Sequence, residues 1–211
     1  MRWTFGVAPL PRMRELSARL RRVIGLLLAL ETPHAALDRL ESALASAEED
    51  LGHAVPPSPL PRVGANAGGD GRAYVDHARD IGAFNPCFPE YEIRVEGDRA
   101  SGTVAFPLAY EGPPGLVHGG FLAVFFDSVM QHHHCDAGVA GKTTSLTIEY
   151  RRPTPLLVPL AFELERNVED RRIHSTGRIT LDGTVLCEAR MSAVAGDRSR
   201  LPEVSPRRNA T

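Results

Sequence analysis

Three observations in this 211-residue chain predict an α+β fold, a curved antiparallel sheet wrapped around one long helix. Between about 89 and 196, apolar and polar residues alternate in successive short runs, the period of half-buried strands. Within that stretch a single segment, about 118 to 135, has helical length. It carries Phe121, Leu122, Val124, Phe125, Phe126, Val129 and Met130, so it is apolar nearly all round. Such a helix is buried on all sides rather than laid on a surface, and a short sheet can bury it only by curling around it.

The elements follow in order. Leu16, Leu20, Val23, Leu27 and Leu30 form one apolar stripe at helical period, and Leu37, Leu40, Leu44, Ala47 and Leu51 form a second. Thr32 and Pro33 between them predict a capping hydroxyl followed by proline at the first helical position. Residues 1–55 therefore read as a helical hairpin, packed as an appendage of the main domain. The first helix is basic early (Arg14, Arg19, Arg21, Arg22) and the second ends acidic (Glu48, Glu49, Asp50), so an antiparallel pair would bring those ends together.

Prolines 56, 57, 59 and 61 and glycines 64, 68, 69 and 71 make 56–88 a linker and lead-in. The main domain spans 89–196. Tyr91, Ile93 and Val95 alternate with charged residues, Gly97-Asp98 turns the chain, and 100–107 returns as a second strand. Residues 145–151 and 158–164 give two more. Residues 171–181 and 184–194 flank Asp182-Gly183, a strong hairpin signal. Residues 197–211, with Pro202, Pro206, Arg207 and Arg208, read as a flexible tail.

Composition narrows the function. A formal net charge of −2 lacks the basic excess of a nucleic-acid binder, and an apolar content of 43% excludes an acidic disordered chain. Three well-separated cysteines, Cys87, Cys135 and Cys187, form no CxxC pair and read as reduced thiols of a cytoplasmic protein. The run Val23 to Leu30 is too short to span a membrane.

The chemistry concentrates in Glu111 to Asp127. Glycines at the start of the buried helix, Gly119 and Gly120 after His118, leave backbone N–H groups open where the helix dipole favours negative charge. That is the geometry of an oxyanion hole, and His118 beside it can fix the loop. Asp127 sits in an otherwise apolar helix, where a carboxylate costs several kcal/mol unless it is partnered or functional. It is a candidate general base or nucleophile. His132, His133 and His134 invite a metal reading. Consecutive helical residues point about 100° apart, so one ion could not easily collect all three. A polar helix end, where His suits the dipole, is the better account, and neither metal nor cofactor is expected. Arg151 and Arg152 precede Pro153 at a strand end; they are candidates for phosphate contacts or solvated charge.

The stretch PGLVHGGFLAVFFD, followed by TTSLTIEYRRP, resembles the hotdog-fold acyl-CoA thioesterases. The branch is the one holding the phenylacetate-degradation (PaaI-like) and carboxyl-terminal-modulator enzymes. Three spacings match together: HGG at the helix start, Asp nine residues after the His, and Thr seven residues before the Tyr of Tyr-x-Arg-Pro. The resemblance covers about residues 85 to 195. It implies that Asp127 activates water or attacks the thioester carbonyl, that the Gly119 N–H, with Gly120 nearby, polarises that carbonyl, and that His118 shapes the loop. It also implies that Thr143 orients the water or the Asp, with Thr144, Ser145, Arg151 and Arg152 toward the substrate. The Asp and the glycine loop of one site would come from opposite subunits of a homodimer or tetramer. Where some relatives carry a water-positioning Asn, this chain has Gly112, which leaves the role of Glu111 open.

Two other functions compete. A hotdog hydratase would need an Asp-x-Asn-Pro-x-His loop, and here Asn85-Pro86 is followed by Cys87-Phe88-Pro89. A non-catalytic acyl-CoA or lipid binder would have no need of both Asp127 and Thr143.

Overall fold

The computed structural model describes residues 12–54, 81–136 and 141–195. The Pro- and Gly-rich part of the expected linker, through residue 80, and the expected tail lie outside the described residues. Six antiparallel strands form one sheet: β1 Tyr91–Glu96, β2 Arg99–Val104, β3 Gly141–Tyr150, β4 Leu160–Glu169, β5 Arg172–Leu181 and β6 Thr184–Ala195. Their spatial order is β1-β2-β4-β5-β6-β3, so β1 and β3 are the edges. The β1–β2 turn has Gly97 at φ 62°, and the β5–β6 turn has Asp182 and Gly183 at φ 47° and 76°. Two successive positive φ angles match the twist of a tight hairpin, and Asp-Gly supplies them at low steric cost.

Three other helices accompany the long one. They are α1 Met13–Leu28, α2 Ala36–Ala54 and the short α3 Ile81–Phe84; the long helix, α4, is Gly119–Asp136. The sheet curves around α4 in the hotdog arrangement. Phe125, Phe126, Val129 and Met130 are fully buried with Leu160, Phe162, Ile173 and Ile179 from β4 and β5. Each such burial contributes about 2 kcal/mol. Phe125 meets Phe106 and Phe162 edge-on at 5.3 and 5.4 Å.

Four sequence expectations change. First, α4 is not enclosed on every side: Phe121 is 38% and Val124 52% exposed. With His118 and Asp127 they follow a three-residue step, so a single open stripe runs along the first half of the helix and ends before the buried Gln131. Six strands reach round only part of the helix circumference. Second, α2 begins at Ala36 rather than Pro33. The Nδ1 of His34, not the Thr32 hydroxyl, accepts the Ala36 N–H at 3.1 Å. Third, the packed appendage is α1 alone. Ser17 Oγ donates to Phe84 O at 2.5 Å, and the buried Arg21 donates to Asn85 O at 2.9 Å and Phe88 O at 3.2 Å. No residue of α2 is buried.

Fourth, the histidine run is not a solvated helix end. His132, His133 and His134 are all buried, and their rings diverge. His132 Nδ1 meets Tyr91 Oη at 2.7 Å, His133 Nε2 meets Gly97 O at 3.3 Å, and His134 Nε2 meets Ser175 Oγ at 2.7 Å. The positive charge at this helix end comes instead from Arg166 of β4, which donates to His133 O at 2.6 Å and Gly97 O at 2.7 Å. Arg166→Met removes both bonds and the 3.4 Å ion pair with Asp98, leaving His133 O without this donor and Gly97 O with the His133 ring alone. The expected loss is about 3 kcal/mol of stability, measured by urea denaturation.

Burial, with His133 and Arg166 nearby, lowers the His134 pKa to about 3. The unfolded chain protonates this imidazole near its ordinary value of 6.5, while the folded chain resists protonation until far lower. Its contribution to stability is complete above that value and is lost as the pH falls toward 3. Between pH 6.5 and 4 the loss from this group is about 3 kcal/mol. His134→Gln should flatten the acid limb of stability against pH measured by urea denaturation; an unchanged limb would place the acid sensitivity elsewhere.

Candidate active site

Chain entry into α4 builds the first half of the site. His118 N donates to Tyr110 O at 2.8 Å, and His118 O accepts from Phe121 N at 2.9 Å. The His118 ring turns back so that Nδ1 accepts the Gly120 N–H at 3.0 Å. His118 is thus the N-cap, an imidazole in the role a Ser or Asp side chain usually fills. The capping bond commits Gly120, whereas the Gly119 N–H has no partner among the described residues. It stands at the positive end of a helix eighteen residues long. Tyr150, at the end of β3, lies over this glycine and donates from Oη to Gly119 O at 3.0 Å. A Cβ at position 119 would come within 2.9 Å of the Tyr150 ring, so any larger residue here has to displace that exposed ring. Glu111 has a definite task here: its Oε1 accepts the Gly115 N–H at 2.7 Å, closing the turn ahead of His118.

The second half lies two turns further along α4. Thr143 Oγ1 donates to Asp127 Oδ1 at 2.7 Å and accepts from Gln131 Nε2 at 3.0 Å. Strict alternation would put Thr143 on the face opposite Leu146 and Ile148. The β3–β6 register shifts between Thr143 and Ser145, so that Thr143 faces Ala193 and Leu146 faces Met191. One extra residue, Thr144, inverts the parity and brings Thr143 to the helix side. Thr144 Oγ1 donates to Ser192 O at 3.0 Å, and Ser145 is exposed.

Gln131 escaped the sequence reading. Its signal was present, because it lies four residues after Asp127 on the same helix face. The structure brings together Asp127, Gln131 and Thr143 at one place and His118, Gly119 and Gly120 at another. Eight residues separate Gly119 from Asp127, about 12 Å along the axis. Neither Arg151 nor Arg152 bonds to a residue of either group. Arg151 pairs with Glu188 at 2.7 Å and with Glu149, which Arg190 also holds at 2.6 Å. The side chain of Arg152 has no partner among the described residues.

No helix among the described residues is long and apolar enough to cross a membrane. No family model matches the chain. In fold and sequence it is similar to a thioesterase superfamily protein of known crystal structure. The identity is 30%, the TM-score is 0.71, and the match covers 89% of this chain and 97% of that one. A hypothetical thioesterase from Streptococcus pneumoniae TIGR4, solved with coenzyme A, matches 50% of this chain and 88% of its own length at 21% identity and TM-score 0.48. Thioesterase superfamily member 2 from Mus musculus matches 50% of this chain and 82% of its own length at 13% identity and TM-score 0.47. By the first of these likenesses the chain belongs to the thioesterase superfamily.

Proposed function

We propose that this protein hydrolyses an acyl-CoA thioester to the free acid and CoA, in the cytoplasm, at sites shared between two copies of the chain. The observation that carries this reading is the Asp127 carboxylate held by the Thr143 hydroxyl on the open stripe of α4. Asp127 takes a proton from water as that water attacks the carbonyl carbon, or attacks the carbon itself. In either course the carbonyl electrons move to oxygen. The Gly119 N–H and the helix dipole stabilise that oxyanion. When water is the nucleophile, collapse breaks the C–S bond to give the free acid, and the CoA thiolate takes up the proton that Asp127 removed from water. When Asp127 is the nucleophile, the thiolate leaves a mixed anhydride, which water then hydrolyses to the free acid and Asp127, the released proton going to the thiolate.

One copy cannot do this alone. The donor and the carboxylate that must meet at a single carbonyl are about 12 Å apart on the same helix. A second copy placed across the open stripe supplies its Asp127 opposite this Gly119, and the reverse. The free edge of β3 favours such an arrangement, because an unpaired strand edge is a template for another strand. Of the two arginines at the β3 end, Arg152 is the one with its charge uncommitted and is the better candidate for a CoA phosphate.

The test is release of free thiol from a panel of short, long and aromatic acyl-CoAs. Hydrolysis of a subset supports the reading. Binding of acyl-CoA with no thiol release would replace it with a non-catalytic acyl-CoA binder.

A further inference from the structure

A mostly apolar cavity of about 220 Å³ lies between α1 and the start of α4, lined by Ile24, Pro86, Pro107, Ala109, Tyr110 and Phe121 together with Arg21 and Cys87. It adjoins the glycine loop directly. Tyr110 supplies the carbonyl that holds His118 N, and its ring meets Phe121 edge-on at 4.8 Å. Phe121 is two residues beyond Gly119, so one wall of the cavity lies within a helical turn of the Gly119 N–H.

We propose that this cavity receives the acyl group of the substrate, and that α1, which is not part of the sheet domain, sets its depth; the proposal rests on the hydrolytic reading above. The walls decide which arm of a thioester enters. The pantetheine arm of CoA carries two amides, and apolar walls would leave them unpaired at a cost of a few kcal/mol. A hydrocarbon acyl group has nothing to leave unpaired. Size sets the class: a cavity of about 150 Å³ accepts benzene, so this one suits a single ring or an alkyl chain of medium length rather than a long fatty chain. The position of α1 is fixed independently of any ligand. The Ser17 and Arg21 bonds to the 84–88 loop pin it, and the guanidinium is turned into that loop. Ile24, one turn beyond Arg21, then forms the outer wall.

The cysteines provide a readout that needs no turnover. Cys87 lines the cavity and is exposed, while Cys135 and Cys187 are buried. Burial also raises the Cys187 pKa to about 12, so iodoacetamide reports on Cys87. On the full-length protein, octanoyl-CoA at about ten times its Kd should slow Cys87 alkylation about tenfold relative to CoA alone. Ile24→Trp, and independently Ala109→Trp, should lower the ratio of octanoyl-CoA to acetyl-CoA kcat/KM by about tenfold. Equal alkylation rates with octanoyl-CoA and CoA, or unchanged ratios in both folded variants, would overturn the proposal. If no acyl-CoA is hydrolysed, the hydrolytic reading fails by itself. The alkylation experiment still decides the cavity, with protection supporting it and none refuting it.

Discussion

Asp127→Asn should lower the turnover number for the best acyl-CoA by about a thousandfold, within the range a positioned base contributes. The substitution changes little else. The amide is isosteric with the carboxylate, and its oxygen can still accept from Thr143 Oγ1, a bond of 2.7 Å in the native protein. The side chain is half-buried on the open stripe of α4, outside the aromatic core around Phe125 and Phe126. Stability to urea should therefore stay within about 1 kcal/mol of the native value, and KM should change much less than kcat, because an amide neither accepts the proton of water nor attacks a thioester. Thiol-release kinetics beside a urea melt separate these quantities. Native turnover in the folded variant would remove Asp127 from the mechanism.

The architecture was legible because it rests on local periodicities. Tyr91, Ile93 and Val95 alternate because only one face of β1 meets the core. Asp182-Gly183 signals its turn because few residue pairs accept two positive φ angles. What escaped depends on partners distant in the chain. Arg166 follows Leu160, Phe162 and Leu164 on the inward face of β4, a charge with no evident partner until β4 is laid beside the end of α4, where it meets His133 O. The three histidines look polar on paper and are buried because Tyr91, Gly97 and Ser175 each supply a different partner. Of the site, Asp127 and the glycine loop stood out in the helix itself, and the resemblance added Thr143. The bulge at Thr144 that turns Thr143 toward Asp127 leaves no mark in the alternation, because Thr143, Thr144 and Ser145 are all small and polar. Gln131 was legible in principle through its four-residue step from Asp127.

Two variants, each inactive alone, should restore activity when they are combined. Gly119→Pro is the partner of choice for Asp127→Asn. Gly119 is the first residue of α4, and proline at that position has a favourable φ and lacks only an N–H that the helix itself does not use. It thus deletes the proposed oxyanion donor while keeping the helix start, at the cost of a small shift of the exposed Tyr150 ring. Turnover should fall by about a hundredfold to a thousandfold. In the proposed two-fold dimer, one copy's glycine loop would face the other's Asp127, and symmetry repeats the pairing. A hybrid of the two variants therefore holds one doubly defective site and one intact site. Random reassembly of equal amounts makes half the dimers hybrid, so about a quarter of native activity should return. Sites confined to single chains predict none, since every chain carries a defect. Unfolding and refolding the two variants together, against each refolded alone, makes the measurement. A return near a quarter requires that the carboxylate and the glycine donor of each working site belong to different chains, which is the arrangement that the 12 Å between them along α4 demands.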